Sequence, residues 1–427
     1  MRDTHKADQL LVIRCNNFAA VEAAFGKAAA GAAMDHLRRV AERHLGRVEF
    51  VRMERDEIEL SVRHPVMRCL SWGSPIELLC TKLGAEPFRH GDNDILLSVS
   101  AGHAWAQGRM AGMPGRSLEG EARAGLAVST LTAEGIVRRL EACTARYRKD
   151  MAAAATLVRQ IGRGAGFFTW RPICRPGRPE VIFYYEAALR CMADEDRRLG
   201  SDASYAALDR LGLAHLVDRP LLADVIEELE ADPTACLSIG ISTRSLSLNL
   251  HGEEAGWTDL IERLRRDPAV ARRLIVEIAD NSGIACFRDA LSFVRALRDL
   301  GVRIVVARFG SGQASIGQLM ALSPDLLKLD SAFMQAAYRS ASNRARFGRL
   351  LSLARTISPT VIVDGVESPW HMKLAVEEGA EWIAGAQVGR PALRRGWLDA
   401  GYGDSVASLA AFNSAFRWAG QPGALSR

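Results

Sequence analysis

Paired cysteines are missing from this chain: its eight cysteines are scattered, with no CxxC spacing among them. That excludes a CxxC-type zinc centre, argues against a disulfide framework and suits a reducing compartment. No stretch approaches the roughly 18 consecutive apolar residues of a membrane span. The N-terminal stretch MRDTHKADQLLVIRCNNF has no apolar core for a secretory signal. The expected location is the cytoplasm, with any membrane contact made through a partner. Excess charge is scarce too. A net +5 over 427 residues gives no basis for nucleic-acid binding, which needs Lys and Arg concentrated on one face. Low-complexity tracts and solenoid repeats are absent. What is there is an ordinary globular composition, 48% hydrophobic and 25% charged, at a length that predicts two or three domains.

The two halves are patterned differently. In the first, residues 9–14 read as a strand and 19–44 as one long helix or two. Residues 48–53 and 57–62 alternate with period two and read as a hairpin, and 95–100 read as another strand. Residues 107–120 read as loop, and 132–162 as a helix leading out of the first domain. From about 165 onward, apolar runs at 181–186, 237–241, 273–278, 303–306, 326–329, 361–363 and 381–384 alternate with helical stretches at 219–231, 254–266, 287–300, 313–322, 342–356 and 369–379. Such alternation predicts an α/β fold with a parallel sheet, and this number of units suits a closed (β/α)8 barrel. The expected boundaries are an α+β domain over 1–145, a linker helix over 146–162, a barrel over 163–400 and a helical tail over 401–427. The tail, with Phe412, Phe416 and Trp418, is expected to pack on the barrel, the alternative being an apolar face presented to a partner.

Residues at the C-terminal ends of barrel strands line the active mouth. Here they are Glu186 and Arg190, Gly240, Glu277 and Asp280, Ala307 and Arg308, Lys328 and Asp330, Asp364 and Glu367, and Ala384. In order and spacing they resemble the EAL family of cyclic-di-GMP phosphodiesterases over roughly 160–400. Tyr185-Glu186-Ala187-Ala188-Leu189-Arg190 is similar to the signature EALxR, and Leu237-Ser238-Ile239-Gly240-Ile241-Ser242 to LSVNLS. Val276-Glu277-Ile278-Ala279-Asp280 resembles the E-[LI]-T-E segment. Residues 300–312, with Ala307-Arg308-Phe309-Gly310, resemble LGVRIALDDFGTG. Leu327-Lys328-Leu329-Asp330 resembles LKID, Asp364-Gly365-Val366-Glu367 resembles EGVE, and Ala384-Gly385-Ala386 resembles QGY.

The resemblance implies a TIM-like barrel holding two divalent cations, which activate water and clamp the phosphodiester. Against the implied ligand set, Glu186 and Glu277 are kept, and so is Lys328. Asp364 shortens a glutamate. Gly240, Ala307, Arg308 and Ala384 stand where the resemblance implies polar or carboxylate groups. Exchanging two carboxylates for Ala307 and Arg308 shifts the local balance by about three positive charges, close to what two cations supply. Mg2+/Mn2+ binding is therefore expected to be lost, leaving no cofactor. Arg308 is expected where the cations would sit, paired with Glu186 or Glu277 because a buried guanidinium needs partners. The alternative is an Arg308 that faces solvent over an eroded site. Arg190, Arg308, Asp330 and Glu367 are the candidate ligand-binding residues. Read structurally instead, Glu186 and Arg190 form an ion pair, Lys328 pairs with Asp330 or Glu277, and Glu367 belongs to a helix cap through Ser368-Pro369.

Residues 9–100 resemble a GGDEF (nucleotide-cyclase-like) domain less strongly. Residues 11–18 are similar to its LLxIDLDxF strand, Gly26-Lys27 falls at its GH, and Ser98–Gly102 is similar to its VSIG strand. Its signature belongs at residues 53–58, where Glu54 and Arg55 replace glycines that let backbone approach phosphate. Arg14 stands at an implied metal-binding Asp, and Glu22 at an implied guanine contact. Asp56 and Glu57 read as a solvated turn. The resulting expectation is a tandem degenerate GGDEF–EAL protein that is not an enzyme. It would act by binding a protein partner, with cyclic-di-GMP and a homodimer as further partners, in bacterial second-messenger, motility or cell-envelope signalling. Two alternatives stay open: a metal-dependent phosphodiesterase with non-standard ligands, and an unrelated barrel enzyme using Lys328 as a Schiff-base lysine.

Overall fold

The computed structural model describes residues 9–45, 48–62, 80, 83–84, 87–105, 144–191, 201–243, 245–247, 257–279, 287–312 and 314–395. The expected loop at 107–120, helical residues 132–143, Asp280 and the tail at 401–427 lie outside these. The chain divides into two compact units: Met1–Gly162 with Ala203–Leu216 and Leu248–Asp259, and Arg163–Asp202 with Val217–Ser247 and Leu260–Arg427.

The first unit is built on an antiparallel sheet. Strands β1 (Gln9–Cys15), β2 (Val48–Met53) and β3 (Glu57–Val62), a short hairpin of β4 (Phe88–His90) and β5 (Asn93–Ile95), and β6 (Val99–Trp105) follow in chain order. The sheet runs β2-β3-β1-β6, so the apolar β1 is central and its Leu11, Val12 and Ile13 are fully buried. Two helices, Phe18–Phe25 and Lys27–Leu45, occupy the expected helical stretch. They part at Gly26, whose φ of 92° is costly for any residue with a Cβ. The expected strand at 95–100 is split: β5 ends at Ile95 and β6 begins at Val99. Glu57 is not part of a solvated turn. It opens β3, is buried, and takes both Nε and Nη2 of Arg14 on one carboxylate oxygen.

The second unit is a closed eight-stranded barrel. Its strands are β7 (Gly166–Arg175), β8 (Arg178–Cys191), β9 (Leu237–Ser242), β10 (Leu274–Ala279), β11 (Arg303–Phe309), β12 (Leu326–Leu329), β13 (Thr360–Val363) and β14 (Trp382–Ile383). They close in the order β10-β11-β12-β13-β14-β7-β8-β9. Seven of them correspond to the apolar runs of the sequence and pair in parallel from β8 through β14. The eighth, β7, corrects the expectation of an all-parallel sheet, because it is antiparallel to both β8 and β14. Pro176-Gly177, with Gly177 at φ 71°, turns β7 directly into β8 as a hairpin. Inside the barrel Ile173, Tyr184, Ile275, Val305, Leu326, Ile362 and Ala384 form one buried cluster. Ala384 therefore belongs to the core beneath the mouth; its backbone bridges Val363 and Val366.

Candidate active site at the barrel mouth

Side chains alternate sides along a strand, so residues two apart face the same way. One such step from the apolar cluster toward the strand C-termini leads from Tyr184 to Glu186, Ile275 to Glu277, Val305 to Ala307, Leu326 to Lys328 and Ile362 to Asp364. On β7, which runs the other way, the same step leads back from Ile173 to Arg171. A charged layer thus rests on one that is apolar but for the Tyr184 hydroxyl, where low dielectric strengthens charge–charge coupling.

Two cations cross-link that layer. Lys328 Nζ donates to Glu186 Oε2 at 2.6 Å and to Glu277 Oε2 at 3.2 Å. Arg171 donates to the same Glu186 oxygen from Nε at 3.1 Å and Nη2 at 2.6 Å, and to Asp364 from Nη1 at 2.9 Å and Nη2 at 3.3 Å. The other oxygen of Glu277 accepts the hydroxyls of Ser238 at 2.8 Å and Tyr184 at 3.1 Å. Burial raises the Glu186 carboxyl, but Arg171 and Lys328 outweigh it and hold it down at about 2. For Glu277 burial wins: its carboxyl is pushed above the usual range, helped by the neighbouring Glu186 and opposed by Lys328. Burial works against the Lys328 ammonium, yet the two glutamates raise its pKa. Arg171 is likewise stabilised as a cation by Glu186 and Asp364 against its own desolvation.

An open cavity of about 380 Å³ lies over this layer, lined by Glu186, Glu277, Lys328 and Asp364 together with Gly240, Ala307, Arg308, Leu329, Asp330 and Ser331. A Cβ on Gly240 would meet nothing within 4 Å, so that wall is open. Gly365 sets the opposite side: at φ 81°, a Cβ there would lie 2.6 Å from Ser331 Cβ. Only glycine lets the loop after β13 approach the start of the helix Ser331–Ala337.

The expected residues divide. Arg308 does not pair with Glu186 or Glu277. It follows the inward Ala307, sits at φ 61° in the β11–β12 bulge, and donates from Nε to Asp330 Oδ2 at 3.0 Å with its side chain 53% exposed. Asp330 also accepts the Ser311 hydroxyl, and caps the helix Ser331–Ala337 through Ala332 N at 2.8 Å. Burial raises its pKa, but the Ser311 and Ala332 hydrogen bonds and Arg308 hold it below the ordinary value. Lys328 pairs with Glu277 and Glu186 rather than with Asp330. Arg190 pairs with Asp202 at 2.8 Å, not with Glu186. Glu367 is exposed and accepts from Ala386 N at 3.3 Å, while the following helix is capped by Ser368. Arg190 and Glu367 do not line the cavity. Sequence reading missed Arg171 altogether. The Pro176-Gly177 turn between two aromatic-rich runs was the signal that could have placed it on a strand facing Glu186.

The EAL domain family model matches residues 154–391. The chain belongs to the EAL domain family. It is 22% identical over 270 residues to the cyclic di-GMP phosphodiesterase PdeF of Escherichia coli (strain K12), covering 62% of this chain and 35% of that protein. It is 25% identical over 242 residues to the cyclic di-GMP phosphodiesterase PdeB of Shewanella oneidensis, covering 56% and 28%. The chain thus spans about a third or less of the length of these curated relatives. Among solved structures it is similar to the Xanthomonas citri FimX EAL domain in complex with c-diGMP, at 18% identity and TM-score 0.48, covering 58% of this chain and 98% of that one. These findings correct the expectation that the chain is not an enzyme: family membership and the names of the relatives point to one.

The residues present do not fit the pair of divalent cations implied by the EAL resemblance. Gly240, Ala307 and Arg308 offer no carboxylate, and Glu186, Glu277 and Asp364 are already held by Lys328 and Arg171. No group of three or more His, Cys, Asp or Glu among the described residues could hold a metal ion.

Proposed function

We propose that the barrel mouth binds cyclic-di-GMP and that the chain serves bacterial second-messenger signalling, passing the bound state to a protein partner. The observation that carries this reading is the cavity at the strand ends of an EAL-family barrel, with the half-exposed Arg308 beside it and Lys328 beneath it. A guanidinium is the side chain best shaped to grip phosphodiester oxygens. Fold alone does not assign function, so the dinucleotide rests on the chemistry of this cavity and on what the relatives are named for. The first unit is read as GGDEF-like on the residues quoted above, its β2–β3 turn at Glu54–Asp56 standing where that signature belongs.

Isothermal titration of the full chain with cyclic-di-GMP tests the reading. Saturable binding, weakened roughly tenfold, about 1.4 kcal/mol, by Arg308→Ala, is expected. Absence of heat at high micromolar ligand would exclude it. The phosphodiesterase names of the relatives favour a second reading, in which the bound dinucleotide is also cleaved. Appearance of the linear dinucleotide with Mg2+ or Mn2+ present would establish that activity.

A further inference from the structure

We propose that Arg171, standing beside the lysine that the EAL resemblance keeps, takes up carboxylates that would otherwise face divalent cations, so that this barrel mouth is neutralised by the chain itself. The proposal is independent of what the mouth binds. It starts from the three carboxylates of the charged layer, Glu186, Glu277 and Asp364, which converge from β8, β10 and the end of β13 over an apolar floor. Three such groups need positive charge close by, since an uncompensated buried carboxylate is strongly unfavourable. In this chain that charge is covalently attached. Lys328 bridges Glu186 and Glu277, and Arg171 bridges Glu186 and Asp364. Glu186 is shared by both side-chain cations.

The local chemistry explains why a guanidinium serves at 171. It spans two carboxylates with four donated hydrogen bonds, which an ammonium could not arrange in one plane. The direction of entry comes from topology. Because β7 is antiparallel, Arg171 faces Glu186 across the β7–β8 ladder and still points into the same layer. Arg308, one residue out of phase with that layer, cannot do this.

The test uses the full chain, with Mn2+ as the probe, read by electron paramagnetic resonance and by thermal unfolding. The wild type is expected to bind no more Mn2+ than Glu186→Gln does, with the same melting temperature whether or not Mn2+ is present. Arg171→Gln leaves Glu186 and Asp364 short of a partner. It should gain Mn2+ affinity by roughly tenfold or more and show a Mn2+-dependent rise in melting temperature. Adding Glu186→Gln to that variant should abolish the gain, and Arg171→Lys, which keeps the charge, should not show it. Wild-type Mn2+ binding that Glu186→Gln removes would overturn the proposal. So would a folded Arg171→Gln protein with no gain. Should Arg171→Gln fail to fold, the wild-type and Glu186→Gln comparison still decides.

Discussion

Arg171 and Arg308 sit at the same end of the barrel and differ in nearly everything that determines what a charge does. Arg171 points inward from β7, its side chain 22% exposed, and holds two carboxylates. Arg308 leaves the layer at a bulge, its side chain 53% exposed, and is paired with Asp330, which also caps a helix. The difference comes from strand parity. Val305 and Ala307 face the interior, so residue 308 faces away, and its φ of 61° turns the chain out of the ladder. One position along a strand decides whether an arginine joins the inward ionic network or turns outward with its guanidinium half exposed.

The strongest way to sharpen that contrast is to remove the buried cation shared by two glutamates. Lys328→Met should cost about 3–5 kcal/mol in chemical denaturation, because Glu186 and Glu277 lose a partner they cannot replace from water. A loss below about 1 kcal/mol would mean the layer is hydrated like the rim.

Acid titration probes the same layer with a smaller effect. The Glu186 carboxyl lies at about 2 in the folded protein against an ordinary 4.5. Its stabilisation is therefore fully present above about pH 4.5 and lost as pH falls from there toward 2, at up to about 1.4 kcal/mol per pH unit. Glu277 has the opposite sign: its raised pKa favours the fold while it is protonated, and that contribution declines as pH rises through the raised value. Unfolding free energy measured against pH should thus lose its acid limb in Glu186→Gln and keep it in Glu277→Gln.

Much of the barrel was legible in the sequence, because buried parallel strands are continuous apolar runs between helices. The runs at 273–278 and 326–329 gave β10 and β12 almost to the residue, and 303–306 gave the start of β11, which runs on to Phe309. The strand β7 escaped because Arg171-Pro172 interrupts its apolar pattern and it pairs antiparallel, outside the strand–helix rhythm that revealed the rest. Losing that strand lost Arg171. Glu186, Glu277, Lys328 and Asp364 could be gathered at one mouth from the order of strand ends alone. Which cation meets which carboxylate could not, because that depends on barrel register and on a positive φ at Arg308, neither of which has a local sequence signature. Asp330 was read as a ligand candidate because no helix was expected after it; the helix Ser331–Ala337 makes it a capping residue.

The most direct test of the central claim is a pair of double-mutant cycles, Arg171→Gln with Glu186→Gln and Arg308→Gln with Asp330→Asn, each read by denaturant unfolding. The inward Arg171–Glu186 pair, both side chains about one-fifth exposed, should show a coupling of about 1–3 kcal/mol, and the Arg308–Asp330 pair, with its guanidinium half exposed, below about 1 kcal/mol. Equal couplings, or a stronger one at Arg308–Asp330, would contradict the account.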